Sequence, residues 1–179
     1  MEQRGIITSQ QGKGRFLREI PISQLGEDKQ EEMSKNLERY SLYEAYEVRQ
    51  VLETKAMDLI VRNATDSDLD EVETAYQTML LRFAETNTTT GEFELHQLYA
   101  KKTGSVFMEQ TLNIVLSTIL AMMHTTSHNV MDMHQVEEEK ADHRRIIDAL
   151  HKRDSSAAQQ AMYDHIQHTP VSYTHLRAH

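Results

Sequence analysis

The chain has 179 residues, no cysteine, 28 acidic against 19 basic side chains, and a formal net charge of −9 with histidine neutral. This balance excludes nucleic-acid binding through the bulk surface and leaves it only to a local basic patch, and the missing thiols exclude disulfides and thiolate metal sites. Six glycines and two prolines favour an all-α chain, and the lack of a long apolar run or leader pattern points to a cytoplasmic protein with no membrane partner.

Residues 1–18 differ in character from the rest of the chain. Gly5 is suited to end a helix. Ile6-Ile7-Thr8 and Arg15-Phe16-Leu17 are β-prone, and Gly12-Lys13-Gly14 between them suits a tight turn. The pattern predicts a basic two-stranded hairpin. Two strands alone are marginal in water, so something is missing or partnered. Residues 19–40 are polar and read as a linker with some helical content.

From Ser41 the pattern turns helical. Tyr43, Tyr46, Leu52, Ala56, Leu59 and Ile60 follow a three-to-four spacing. Thr65-Asp66 can cap a second helix with the apolar face Leu69, Val72, Tyr76, Met79, Leu80 and Phe83. Thr90 can cap a third, which Thr103-Gly104 breaks. A fourth, over about 105–130, is apolar on most sides and is therefore expected to be central. Two more are expected near Gln135–Lys152 and Ser155–His168, with Asp154 as the cap between them. The prediction is an all-α antiparallel bundle of about six helices over residues 41–168. Residues 169–179 carry no such period. They look like the translation of a sequencing adapter and are expected to be a non-native tail that packs on nothing.

Within this pattern Glu92 and His96 stand four residues apart, one turn apart on one helical face. His143 shares a stripe with Ile147 and Leu150, and His165 follows Ala158, Ala161 and Met162 at helical spacing. If these stripes converge, one carboxylate and three imidazoles can hold a divalent cation: zinc first, with nickel, manganese or iron as alternatives. Each histidine taken singly is better explained as a core or surface residue bonded to a neighbour. His124 and His128, also four apart, read as exposed near a helix end.

Four segments carry a family resemblance. Glu92-Phe-Glu-Leu-His96 resembles the Asp-x-x-Phe-His signature of the FCD ligand-binding domain, found in the FadR-like branch of GntR transcription regulators. Tyr46-Glu-Val-Arg-Gln-Val-Leu-Glu53 is similar to that family's first-helix motif. Asp142-His-Arg-Arg-Ile-Ile-Asp-Ala-Leu150 resembles its third-ligand helix, and Asp154-Ser-Ser-Ala-Ala-x-x-Ala-Met-x-x-His165 its last. The resemblance implies metal roles for Glu92, His96, His143 and His165, and a small carboxylate effector held by the metal and an arginine. Arg49 is the candidate, since a guanidinium fork matches a carboxylate; an intrahelical pair with Glu47 or Glu53 is the competing reading. The chain departs from the family in having Glu92 for the usual Asp, and Gly104-Ser105 for Gly-Asn.

By the same resemblance, residues 1–18 look like the end of a winged helix-turn-helix, a remnant β-hairpin whose recognition helix would lie upstream. Lys13 and Arg15 would touch DNA phosphate or the minor groove; a solvated basic turn explains them equally. The implied protein is a homodimeric regulator of operator DNA. A metal-dependent enzyme and a purely metal-stabilised bundle are the alternatives. The enzyme is disfavoured, because the sequence holds no His-Glu-x-x-His motif and no evident extra base.

Overall fold

A computed structural model describes residues 7–10, 14–17, 27–86, 90–125 and 133–168, with side chains described over 42–85, 91–122 and 137–168. The chain divides into two units, Met1–Tyr40 and Ser41–His179. In the first, strands β1 (Ile7–Gln10) and β2 (Gly14–Leu17) pair antiparallel, Ile7 opposite Leu17 and Gln10 opposite Gly14. Lys13 and the Arg15 side chain lie outside the described residues, as do residues 169–179 and the side chains of His124 and His128.

Among the described residues there are six helices: α1 (Glu27–Asn63), α2 (Asp66–Thr86), α3 (Thr90–Lys102), α4 (Val106–Thr125), α5 (Met133–His151) and α6 (Ser155–His168). The second unit is an all-α bundle in which α3 packs on α2 and α4, and α5 on α2 and α6. Its core includes Met57 and Ile60 of α1, Leu69 and Met79 of α2, Leu95 of α3, Leu112 and Ile119 of α4, Ile146 and Ile147 of α5, and Met162 of α6.

Local chemistry sets the helix ends. Before α2, Thr65 N–H donates to Asp68 Oδ2 at 2.8 Å and Asp68 N–H donates back to Thr65 Oγ1 at 3.2 Å, a reciprocal cap. Ser105 Oγ accepts from Met108 N–H at 3.3 Å to open α4, and Asp154 Oδ1 accepts from Ala157 N–H at 3.0 Å to open α6. Gly104, at φ 69°, closes α3 in the left-handed region.

Arg153 occupies the same region at φ 55°, unusual for a residue with a Cβ. Asp154 N–H reaches Ala149 O at 3.0 Å and Arg153 N–H reaches Leu150 O at 2.9 Å, the paired bonds of a Schellman end. The Arg153 side chain offsets the strain. Nη1 donates to Ala64 O at 2.6 Å, beyond the last turn of α1, and Nη2 to Asp66 Oδ1 at 2.6 Å, at the start of α2. One side chain thus serves three helix ends.

Two features differ from expectation. Residues 27–40, expected within a linker of partial helicity, lie inside α1. The fourth helix is not central: Val106, Phe107 and Ile114 are 69%, 80% and 68% exposed, while Leu112, Leu116 and Ile119 are buried. An all-round apolar pattern requires cover on every side, and within one chain α4 is covered on one.

Replacing Gly104 by Ala isolates the backbone term, because an added Cβ meets nothing closer than Asn63 Cβ at 3.5 Å. Gly104→Ala is expected to lower stability by about 1 kcal/mol through left-handed strain alone. A urea titration would show a lower midpoint with an unchanged slope.

Candidate metal centre

Three helices each contribute a pair of polar residues four apart, whose side chains stack one turn above another. They are Arg49 and Glu53 on α1, Glu92 and His96 on α3, and Glu139 and His143 on α5; α6 adds His165. All seven are buried, with Arg49, His96, His143 and His165 at 0% exposure. Gly91 helps to seat the first turn of α3, since a Cβ there would lie 3.2 Å from the Met79 backbone of α2.

The three imidazoles meet. The His143 and His165 rings lie 4.4 Å apart between centroids, His96 and His165 5.1 Å, and His96 and His143 5.2 Å. One ring nitrogen from each lies within 4.8 Å of the other two, and so do ligand atoms of Glu92, Glu139 and His165. His96 Nε2 stands 3.1 Å from His165 Nε2. Glu92 Oε1 lies 3.6 Å from the first and 3.9 Å from the second. Two nitrogens bound to one tetrahedral zinc at its usual bond length are about 3.3 Å apart, so the spacing fits a shared cation. His143 Nε2 is buried and makes no hydrogen bond, which leaves its lone pair for such a cation.

Outer partners orient the rings. His96 Nδ1 bonds to Glu53 Oε2, and the other Glu53 oxygen accepts from Arg49 Nε at 2.6 Å. Arginine does not surrender its proton, so this is an ion pair, and it places the His96 proton on Nδ1 and the lone pair on Nε2. Tyr99 Oη stands 3.5 Å from His143 Nδ1. A ligand histidine held through its second nitrogen is a recurring arrangement around bound metals.

Charge gives a second argument. One guanidinium, Arg49, stands among three buried carboxylates, Glu53, Glu92 and Glu139, which leaves two negative charges for protons or a cation to compensate. A divalent cation supplies that compensation, and protons compete for it. Burial, reinforced by Glu92, pushes Glu139 up to about 8. Burial also raises Glu53, against the pull of Arg49. Burial, with help from the Arg49 charge, holds His96 well below the usual imidazole range, and burial with help from His165 does the same for His143, so both are neutral and ligand-ready. Burial works to lower His165 too, but Glu139, Asp142 and Glu92 outweigh it and raise that ring.

The four residues expected as metal ligands therefore lie together. Arg49 joins them: its Nη2 is 3.4 Å from Glu92 Oε1, its guanidinium carbon lies 5.4 Å and 5.7 Å from the Tyr46 and Phe93 rings, and its Nη1 makes no hydrogen bond. Arg49 makes the intrahelical pair with Glu53 that the sequence also allowed, and it stands beside the histidines. Glu139 was not anticipated. Its signal was available, because Glu139 precedes His143 by the same four residues that separate Glu92 from His96.

The sequence pattern described as the FCD domain matches residues 44–168. The chain belongs to the FCD-domain family. The HTH-type transcriptional regulator LutR of Bacillus subtilis (strain 168) is 23% identical over 167 residues, covering 90% of this chain and 74% of that protein. Among solved structures, a GntR protein of Streptococcus agalactiae superposes with a TM-score of 0.61 at 20% identity, and E. coli McbR/YncC with 0.61 at 14%. Each alignment covers 93% of this chain and 75% of the other. At such identities the superpositions show the shared FCD fold. The similar proteins and the domain are regulators, in keeping with a regulatory rather than a catalytic FCD protein.

Glu53 holds both Arg49 and His96, so Glu53→Gln is expected to cost about 3 kcal/mol, the lower range for breaking a buried ion pair. Chemical denaturation of the chain in chelator isolates this effect from any metal.

Proposed function

We propose that this FCD protein is a metal-dependent transcription regulator that senses a small organic acid. Glu92, His96, His143 and His165 would hold a divalent cation, zinc first, with nickel, manganese or iron as alternatives. The cation and Arg49 would hold the carboxylate of the acid. The observation that carries this reading is the meeting of three imidazoles from three helices beside a buried guanidinium with one unbonded Nη1. A bound cation would supply the positive charge that attracts the acid's oxygen. The acid must favour one arrangement of the bundle by its differential affinity for it.

Operator DNA would be the macromolecular partner. Residues 1–18 would belong to a winged helix-turn-helix, with Lys13 and Arg15 near phosphate or the minor groove. No helix among the described residues is long and apolar enough to cross a membrane, which agrees with a cytoplasmic regulator. A homodimer suits two-fold operator half-sites, and the bare face of α4 is its candidate surface: Phe107, Ile114, Ser117, Thr118 and Ala121 recur there at three-to-four spacing, all exposed. The competing reading is a metal-stabilised bundle with no small ligand, and the Arg49–Glu53 pair at 2.6 Å favours it for Arg49.

Thermal melting separates the two. Metal should raise Tm over EDTA-treated protein, and a matching carboxylate should raise it further only with metal present. At a hundredfold excess over Kd each step is worth about 2.7 kcal/mol, or roughly 5–10 °C at this chain length. Arg49→Met should keep the metal step and lose the acid step. A metal step with no response to any acid would leave the structural reading.

Sedimentation equilibrium addresses assembly. Ile114→Glu places a charge on the apolar face of α4 and is expected to shift the protein to monomer without altering its metal step. A dimer that survives the change must use another face.

A further inference from the structure

The acidic run Glu137-Glu138-Glu139 opens the described side chains of α5, and its members behave differently. Glu137 and Glu138 are exposed, whereas Glu139 is 4% exposed and turned into the bundle. Its Oε2 lies 3.8 Å from His143 Nε2 and 3.3 Å from His165 Nδ1. A carboxylate oxygen of Glu139 also comes within 4.8 Å of a Glu92 oxygen. Despite this company, Glu139 Oε2 makes no hydrogen bond.

A buried carboxylate oxygen that makes no hydrogen bond, set against a second carboxylate, is costly unless a cation lies between them. We propose, resting on the metal reading of the site, that Glu139 is a fifth protein ligand, so that three imidazoles and two carboxylates hold the cation.

Glu139 Oε2 stands nearest His165 Nδ1, the nitrogen other than the one facing His96, and also 3.8 Å from His143 Nε2, so binding must be told apart from orienting. Glu53 shows what an orienting carboxylate does here, since it is hydrogen-bonded to His96 Nδ1 and anchored by Arg49. Glu139 Oε2 has neither kind of bond, and the same side of the His165 ring already faces Asp142 Oδ2 at 3.8 Å. Asp142 in turn is anchored by His168 Nδ1 at 3.0 Å and by Arg145. The helix explains the pairing: Glu139 and His143, four apart on α5, bring Oε2 and Nε2 to 3.8 Å, as Glu92 and His96 bring Oε1 and Nε2 to 3.6 Å on α3. Five donors exceed the four of a tetrahedral zinc site. Nitrogen and oxygen donors in that number suit divalent manganese, iron, cobalt or nickel, which take five or six ligands.

Cobalt(II) is the probe, because its visible absorption strengthens as coordination number falls. The full chain, Glu139→Gln, Glu139→Asp and Glu53→Gln would each be titrated with cobalt, with affinity read by chelator competition and folding by far-UV circular dichroism. Wild type should absorb weakly. Glu139→Gln should absorb more strongly and lose more affinity than the roughly 100-fold upper range for an outer partner. Glu53→Gln should lose roughly 10- to 100-fold with an unchanged spectrum. An unchanged spectrum in Glu139→Gln, at any affinity, would make Glu139 a positioning residue and overturn the proposal while leaving the metal reading intact. Should Glu139→Gln not fold, Glu139→Asp decides. It draws the oxygen back by one methylene, and a spectrum and affinity equal to wild type would count against ligation. Failure of wild type to take up cobalt would remove the metal reading and this proposal together.

Discussion

Arg49, Glu53 and His96 form a chain of buried contacts from α1 to α3, each with an exposure of 1% or less. Taking a guanidinium out of water costs several kcal/mol, and mutual attraction recovers it only where geometry and hydrogen bonds are good. Here Arg49 has Glu53, Glu92 and two aromatic faces. Such a contact contributes more to specificity than to stability, since a leucine pair would bury more favourably. Sliding α1 by one residue would turn Arg49 and Glu53 away from His96 and strand three polar groups in the core. The polar centre thus fixes how the surrounding apolar faces can meet.

The same chain bears on how a signal could leave the site. Arg49 and Glu53 stand on α1, a helix that runs without interruption from Glu27 to Asn63. Any change in what Arg49 holds acts first on that helix, because Glu53 and His96 follow the guanidinium. At the other end, Arg153 ties Val61 O in the last turn of α1, and Ala64 O just beyond it, to Asp66 at the start of α2. α1 is therefore anchored at one end and responsive in the middle, a suitable element for passing on a difference in ligand state under the sensor reading.

Helix ends were legible in the sequence because they rest on local chemistry. Thr65 and Asp154 cap through atoms within three residues, and Gly104 needs only its own φ. The histidines were legible as residues on apolar stripes, and their meeting was not, since convergence depends on how helices cross. Glu139 was hidden for a different reason. In a run of three glutamates any one reads as solvated, and the four-residue spacing to His143 singles out Glu139 only once its burial is known. The fourth helix misled because an apolar face looks the same in sequence whether its own chain or another covers it. Arg153 escaped notice because a left-handed arginine has no signature apart from the partners its side chain finds.

Arg49 bears on what kind of guest the site could accept. Its guanidinium already faces Glu53 at 2.6 Å and Glu92 at 3.4 Å, so an arriving carboxylate meets a cation engaged by two resident anions. In the interior, two anions around one guanidinium repel a third, and the spare Nη1 offers a hydrogen bond without net positive charge. On the sensor reading the attraction must then come from the metal, and Arg49 sets orientation. Carboxylate binding would be conditional on cation binding, which gives the two ligands a positive coupling that a free arginine would not require. A glutamate at position 92, one methylene longer than the family's usual aspartate, serves this division, because its one oxygen Oε1 reaches toward Arg49 and toward both His96 and His165.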